Sequence, residues 1–140
     1  MTLIPTIQDL MPGELICARQ SDTCARAYQT MLQARIHHLP VIDDERRLVG
    51  MLNSKELMEP PSRPRADYAI KRYVLRPEVT VTRETDALSA TDLMLKSGLD
   101  ALPVVDRSWT LLGVVTETDL LRALRGLVAP VTDGKARTVA

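Results

Sequence analysis

The chain has no phenylalanine, and its aromatic residues are only Tyr28, Tyr68, Tyr73 and Trp109. A groove that stacks successive bases needs more π surface than that. It has no excess of either charge, because Lys+Arg 18 meets Asp+Glu 18, so no net field draws it to nucleic acid or to an anionic membrane. Cysteine is equally scarce: Cys17 and Cys24 form neither a C-x-x-C pair nor a disulfide framework, which fits a reducing cytoplasm. The first residues, Met1 to Pro5, lack the charged and apolar regions of a signal peptide. No run approaches the roughly 18 to 20 apolar residues needed to cross a bilayer. The expectation is a cytoplasmic protein with no membrane partner and no electrostatic drive toward nucleic acid.

What is present is repetition. His38-Leu39-Pro40-Val41-Ile42-Asp43 returns as Ala101-Leu102-Pro103-Val104-Val105-Asp106, an offset of 63 residues from Pro40 to Pro103. Leu48 and Gly50 return as Leu111 and Gly113, Met31-Leu32 as Met94-Leu95, Leu57 as Leu120 and Ile7 as Ile70, with no insertion or deletion. A unit repeated once, at a period longer than most solenoid repeats, implies two halves that bury their apolar faces on each other. At 140 residues and 45% hydrophobic, the chain is long enough for one compact core built from both.

Each half reads as strand, helix, strand, strand, helix. Leu15 to Arg19 and Glu78 to Thr82 are the first strand candidates. Cys24, Ala27, Tyr28, Met31 and Leu32 then recur at helical spacing, as do Ala87, Ala90, Thr91, Met94 and Leu95. Oxygen-bearing cap residues precede both stripes, in Ser21-Asp22-Thr23 and Glu84-Thr85-Asp86. The apolar runs 39–42 and 102–105 each close on an aspartate and return as 48–52 and 111–115, which predicts two hairpins. A second helix is expected to begin near Ser54 and near Glu117. These elements place the first repeat at 7–58, a proline-rich linker at 59–69, the second repeat at 70–125 and a flexible tail at 126–140.

Two copies of h-x-x-h-P-V-h-D, each followed by L-h-G-h-h and a polar helix start ending in leucine, closely resemble the cystathionine-β-synthase (CBS) domain pair, from about Ile7 to Leu124. The resemblance implies an α/β (α+β) fold of two tandem β-α-β-β-α units related by a pseudo-twofold axis, with the sheets packed together and the helices outside. It implies a stand-alone regulatory pair that binds an adenine nucleotide such as AMP, ADP or ATP in a cleft between repeats, associates as a homodimer and signals to a regulated protein. A ligand-free scaffold, or a binder of S-adenosylmethionine or nucleic acid, is the alternative. No nucleophile–base pair, paired carboxylates or metal-ligand spacing is discernible, so no catalytic residue, metal or obligatory cofactor is expected and the chain is not read as an enzyme.

The family's ribose motif is matched by Gly113-Val114-Val115-Thr116-Glu117-Thr118-Asp119. An aspartate can accept from both ribose hydroxyls, while Thr116, Thr118 and the first helical N–H groups can donate to phosphate. Thr116 and Asp119 also have capping-box spacing, a role compatible with ligand binding. By resemblance this cleft is completed by Met11, Ile16, Ile36, His37 and His38, with Ile16 and Ile36 enclosing the adenine and His38 directed at phosphate. The first-half counterpart, Gly50-Met51-Leu52-Asn53-Ser54-Lys55-Glu56, departs from the motif. The weaker second cleft would hold Asn53, Lys55 and Glu56, with Val74, Val79, Leu99 and Asp100 opposite. Asn53 and Glu56 have the spacing of a capping box. Leu57, Leu93 and Leu99 are the candidates for a dimer contact.

Overall fold

A computed structural model describes residues 4–11, 13–57 and 68–127. Residues 59–67 of the expected linker and 128–140 of the expected tail lie outside the described residues. In the first half a short helix α1 (Ile7–Leu10) precedes β1 (Ala18–Arg19), α2 (Cys24–Ala34), β2 (His38–Ile42), β3 (Leu48–Asn53) and a 3₁₀ turn at Ser54–Leu57. The second half has a 3₁₀ turn at Ile70–Arg72, then α3 (Ala87–Ser97), β4 (Ala101–Val105), β5 (Leu111–Thr116) and α4 (Glu117–Leu127).

The predicted caps set the long helices. Thr23 Oγ1 accepts from the Arg26 amide at 3.2 Å and Asp86 Oδ1 from the Ser89 amide at 2.7 Å, each satisfying a donor that the first turn cannot. Both helices end on a left-handed residue, Arg35 (φ 56°) in α2 and Gly98 (φ 73°) in α3. Cys24, Ala27 and Met31 face one core, Ala90 and Met94 the other. The two predicted hairpins form, with Pro40 opposite Met51 and Pro103 opposite Val114. Proline fits there because Pro103 needs only to accept, and its carbonyl takes the Val81 amide at 3.0 Å.

Three expectations are corrected. The first strands are short: β1 has two residues, pairing parallel with Val41 and Ile42, and Glu78 to Thr82 contributes only a bridge from Val81 to Val104. The element after β3 is a single 3₁₀ turn rather than a helix, and in it Asn53 Oδ1 accepts from Lys55 N at 2.9 Å, an i+2 turn that puts the cap bond on Lys55 instead of Glu56. Gly126 belongs to the last turn of α4, where the preceding residues already supply the carbonyls its amide needs.

The chain's two starts are exchanged between the halves. Ile7 is packed with Val81, Ala90, Met94, Leu102, Val104 and Val115 of the second half, whereas Ile70 completes the first core beside Ala27, Met31, Leu39 and Leu57. Backbone bonds fasten both arms: Ile7 N to Thr85 O at 2.8 Å and Ala87 N to Pro5 O at 2.8 Å, matched by Ile70 N to Asp22 O at 2.9 Å and Cys24 N to Tyr68 O at 2.8 Å. Burying an isoleucine side chain contributes about 1.5–3 kcal/mol, so each arm holds the opposite half firmly. The hairpins meet on the pseudo-axis through Ile42, Leu48, Val105 and Leu111. There Leu48 N donates to Trp109 O and Leu111 N to Arg46 O, each at 3.0 Å.

Arm exchange brings a residue of the exchanged arm against each motif glycine, backbone at Gly50 and a side chain at Gly113. A Cβ on Gly50 would overlap the Leu75 carbonyl oxygen and stand 2.6 Å from Val74 Cγ1, whereas one on Gly113 would meet only the Met11 side chain, Sδ at 2.7 Å. Leu75 is also paired with Met51 in both directions, N–H to O at 2.8 and 3.0 Å, so it cannot withdraw cheaply. Gly50→Ala is therefore expected to lose roughly 2–3 kcal/mol and Gly113→Ala only about 1 kcal/mol, the range of overpacking costs. Urea unfolding of both variants checks the order.

Candidate functional site

The halves enclose a cleft of about 460 Å³. The first half supplies Glu14, Leu15 and Ile16 ahead of β1, the stretch Ala34 to His38 where α2 turns into β2, and Pro40; the second supplies Asp100 and Ala101 at the start of β4, Val114 and Thr116 of β5, and Glu117, Thr118, Asp119 and Arg122 of α4. The left-handed Arg35 reverses the chain at the end of α2, so that Ile36, His37 and His38 follow one another along the wall.

Asp119 is buried, with 9% of its surface exposed. Its Oδ2 accepts from Thr116 N at 2.8 Å and Thr116 Oγ1 at 3.0 Å, and Thr116 Oγ1 accepts from Asp119 N at 3.3 Å, which closes the predicted capping box. The cap uses one carboxylate oxygen. The other, Oδ1, has Arg122 Nη1 at 3.9 Å, leaving it able to accept from a ligand hydroxyl in the cleft. Glu117 N, at the head of α4, donates to Asp100 O at 3.0 Å, which ties the helix start to the entry of β4.

Of the residues expected at this cleft, Ile16, Ile36, His37, His38, Thr116, Thr118 and Asp119 are brought together. Met11 is not among the lining residues. The chain leaves α1 extended at Met11, and because α1 belongs to the second core the sulfur lies against Gly113 instead. His38 lines the cleft, but its Nε2 is 3.1 Å from Asp100 Oδ1.

The residues assigned to the second cleft are dispersed. Asp100 belongs to the Asp119 cleft, because the residue preceding β4 stands beside the first residue of β2 across the pseudo-axis. Val79 and Leu99 pack on the second core and Val74 on the first. Lys55 lines, with Ser54, Tyr28, Met31 and Leu32, a second hollow of about 410 Å³ along α2, which shares Arg35, Ile36 and His37 with the main cleft. Glu56 is half-buried in the 3₁₀ turn. Where Val114 lines the Asp119 cleft, the longer Met51 stands in the equivalent place of the first half.

Neither periodicity nor motif pointed to Glu14, Arg35 or Asp100 in the main cleft. Glu14 and Arg35 flank Ile16 and Ile36 by one or two positions, a signal readable once those residues are placed. Among the described residues no cluster of three or more metal-ligating side chains occurs, and no helix is long and apolar enough to cross a membrane. Burial raises the Cys17 thiol above its ordinary value, with Arg46 and Arg19 pulling the other way.

The family model for the CBS domain matches residues 7–61 and 70–126. An uncharacterized 17.7 kDa protein of Acidianus ambivalens is 31% identical over 118 residues, a match covering 84% of this chain and 72% of that protein. The chain spans only 23% of YtoI of Bacillus subtilis, to which it is 28% identical over 104 residues. Among solved structures, CBSX2 in complex with AMP matches with a TM-score of 0.78 at 24% identity, covering 88% of this chain and 98% of that one. The CBS domain pair of protein MJ0100, in complex with 5′-methylthioadenosine and S-adenosyl-L-methionine, matches with a TM-score of 0.79 at 23% identity, covering 90% and 100%.

Two neighbouring threonines should separate in their effect on the fold. Thr116→Ala removes both the hydroxyl that donates to Asp119 and the acceptor for its amide, and is expected to cost about 1 kcal/mol, the usual value of a cap. Thr118 is exposed and lines the cleft, so Thr118→Ala should leave stability within about 0.5 kcal/mol of the parent, as surface substitutions generally do. Thermal unfolding of the two variants makes the comparison.

Proposed function

The chain belongs to the CBS domain family, and from that premise we propose that it is a non-catalytic regulatory module that binds an adenine nucleotide in the Asp119 cleft and passes its occupancy to a partner protein. The observation that carries this is the division of labour at Asp119, with one oxygen holding the start of α4 and the other available in a cleft walled by both halves. In this function Ile16 and Ile36 hold the adenine by apolar contact, Asp119 Oδ1 accepts from the ribose, and Thr118 and the His37–His38 turn face the 5′ substituent. Because the walls come from different halves, a ligand that prefers one arrangement of the halves shifts their equilibrium by its difference in affinity.

A second ligand class has its own support. Glu14, Asp100, Glu117 and Asp119 bring four carboxylates to the cleft against the guanidiniums of Arg35 and Arg122. That balance suits a sulfonium nucleoside such as S-adenosylmethionine, which needs no phosphate grip. A calorimetric panel of adenosine, AMP, ADP, ATP and S-adenosylmethionine separates the two, and heat from none of them would favour a ligand-free scaffold.

Asp119→Ala should weaken the bound adenosine compound by roughly ten- to a hundredfold, about 1.5–3 kcal/mol for charge-assisted bonds, with the fold retained. Glu56→Ala should leave affinity unchanged, and the stoichiometry should be one ligand per chain. Two equal sites, or a loss of binding on Glu56→Ala, would reverse the assignment.

The proposed assembly is a homodimer. Leu57 is buried in the first core and Leu93 and Leu99 pack on the second, so the outer contact passes to Leu32 (60% exposed), Leu88 (58%), Leu95 (77%), Leu121 (64%) and Leu124 (58%) on α2, α3 and α4. Exposed leucines in such number on three helices fit an interface better than a solvated surface. Sedimentation should show about twice 15.6 kDa, and Leu95→Glu with Leu121→Glu should return the protein to a monomer.

A further inference from the structure

The contact between His38 and Asp100 joins the two halves across the wall of the cleft, Nε2 to Oδ1 at 3.1 Å, with the imidazole 24% and the carboxylate 57% exposed. Its effect on an anion entering the cleft is double. Asp100 adds negative charge, and it also engages the imidazole nitrogen that would otherwise donate to a phosphate. The surrounding charges do not cancel this: with Glu14, Glu117 and Asp119 in the same lining, four carboxylates outnumber the two guanidiniums of Arg35 and Arg122, and Arg122 lies 3.9 Å from Asp119 Oδ1.

We infer that Asp100 sets the charge of the ligand, so that the cleft takes an adenosine compound whose 5′ group is uncharged, cationic or a single phosphate and discriminates against di- and triphosphates. This rests on the proposed use of the cleft for an adenosine ligand and narrows it. Each added phosphate places charge within the screening length of about 8–10 Å of the carboxylates at ordinary ionic strength, so the penalty grows with phosphate number. Glu14 and Glu117 add to the field from elsewhere in the cleft lining; Asp100, in contact with His38 Nε2, controls both the field and the donor.

The experiment is calorimetry of the full chain with adenosine, AMP, ADP and ATP, at about 0.1 M salt and without divalent cations. The wild-type protein should bind AMP more tightly than ADP, and ADP more tightly than ATP. Asp100→Asn, which keeps the backbone carbonyl that holds Glu117 N, should tighten ATP by roughly three- to fivefold while adenosine stays within about twofold, the scale of one exposed charge contact. Adding His38→Gln should remove part of that gain. A thermal melt confirms that each variant is folded. The inference is overturned if wild-type protein prefers ATP to AMP, or if Asp100→Asn moves all four ligands equally or none. Wild-type protein that binds no adenosine compound removes the function it rests on, and that outcome is distinct because it appears before any variant is titrated.

Discussion

Ile7 and Ile70 are both fully buried, and each is buried in the core of the half that it does not adjoin in sequence. Neither core is complete without the other half's arm, so the two repeats cannot be pulled apart without opening apolar surface in both. The hairpin contact at Ile42, Leu48, Val105 and Leu111 then fixes how the sheets face each other. A cleft whose walls come from different repeats keeps its shape only because of those constraints. The arms also determine what surrounds each motif glycine, Leu75 at Gly50 and Met11 at Gly113.

Within the cleft, the local structure of α4 and its chemistry share a residue. Capping holds the Asp119 carboxylate in one orientation through Thr116, so a ligand does not have to immobilise a flexible side chain on binding. The equivalent segment in the first half makes a 3₁₀ turn with Asn53 bonded to Lys55 N. The bond from Asn53 therefore falls on Lys55 and not on Glu56, whose carboxylate is not oriented by a cap as Asp119 is. The exchange of residue types across this segment thus accompanies a change in both the geometry of the chain and the chemistry it can offer.

The sequence made some of this legible and concealed the rest for identifiable reasons. Cys24, Ala27 and Met31 show the period of α2 because eleven residues cover three turns, and Pro40 and Pro103 marked the hairpins through their repeated apolar flanks. Helix α1 has four residues and the turn at Ile70 has three, too few to display a period, and the exchange of arms is a long-range pairing that no local pattern encodes. Met11 consequently lies against Gly113 and is not among the residues lining the cleft. The motif from Gly113 to Asp119 located most of the cleft, yet the pairing of His38 with Asp100 could not be read from it, since it depends on where two chain segments meet across the pseudo-axis.

The exchanged arms have a consequence for how such a chain can diversify. A single half carries an arm that fits another half and a core that lacks one, so identical halves would satisfy each other only as a reciprocal pair, the logic of an isologous twofold dimer. In such a pair of separate, identical chains, any substitution would appear in both clefts at once. Joined in one polypeptide, the halves remain geometrically interlocked while their sequences are released from being the same. Asp119 and Glu56, Val114 and Met51, and Gly98 and Arg35 occupy equivalent places with different residues, and covalent continuity is what permits one cleft to be altered while its twin supplies the scaffold.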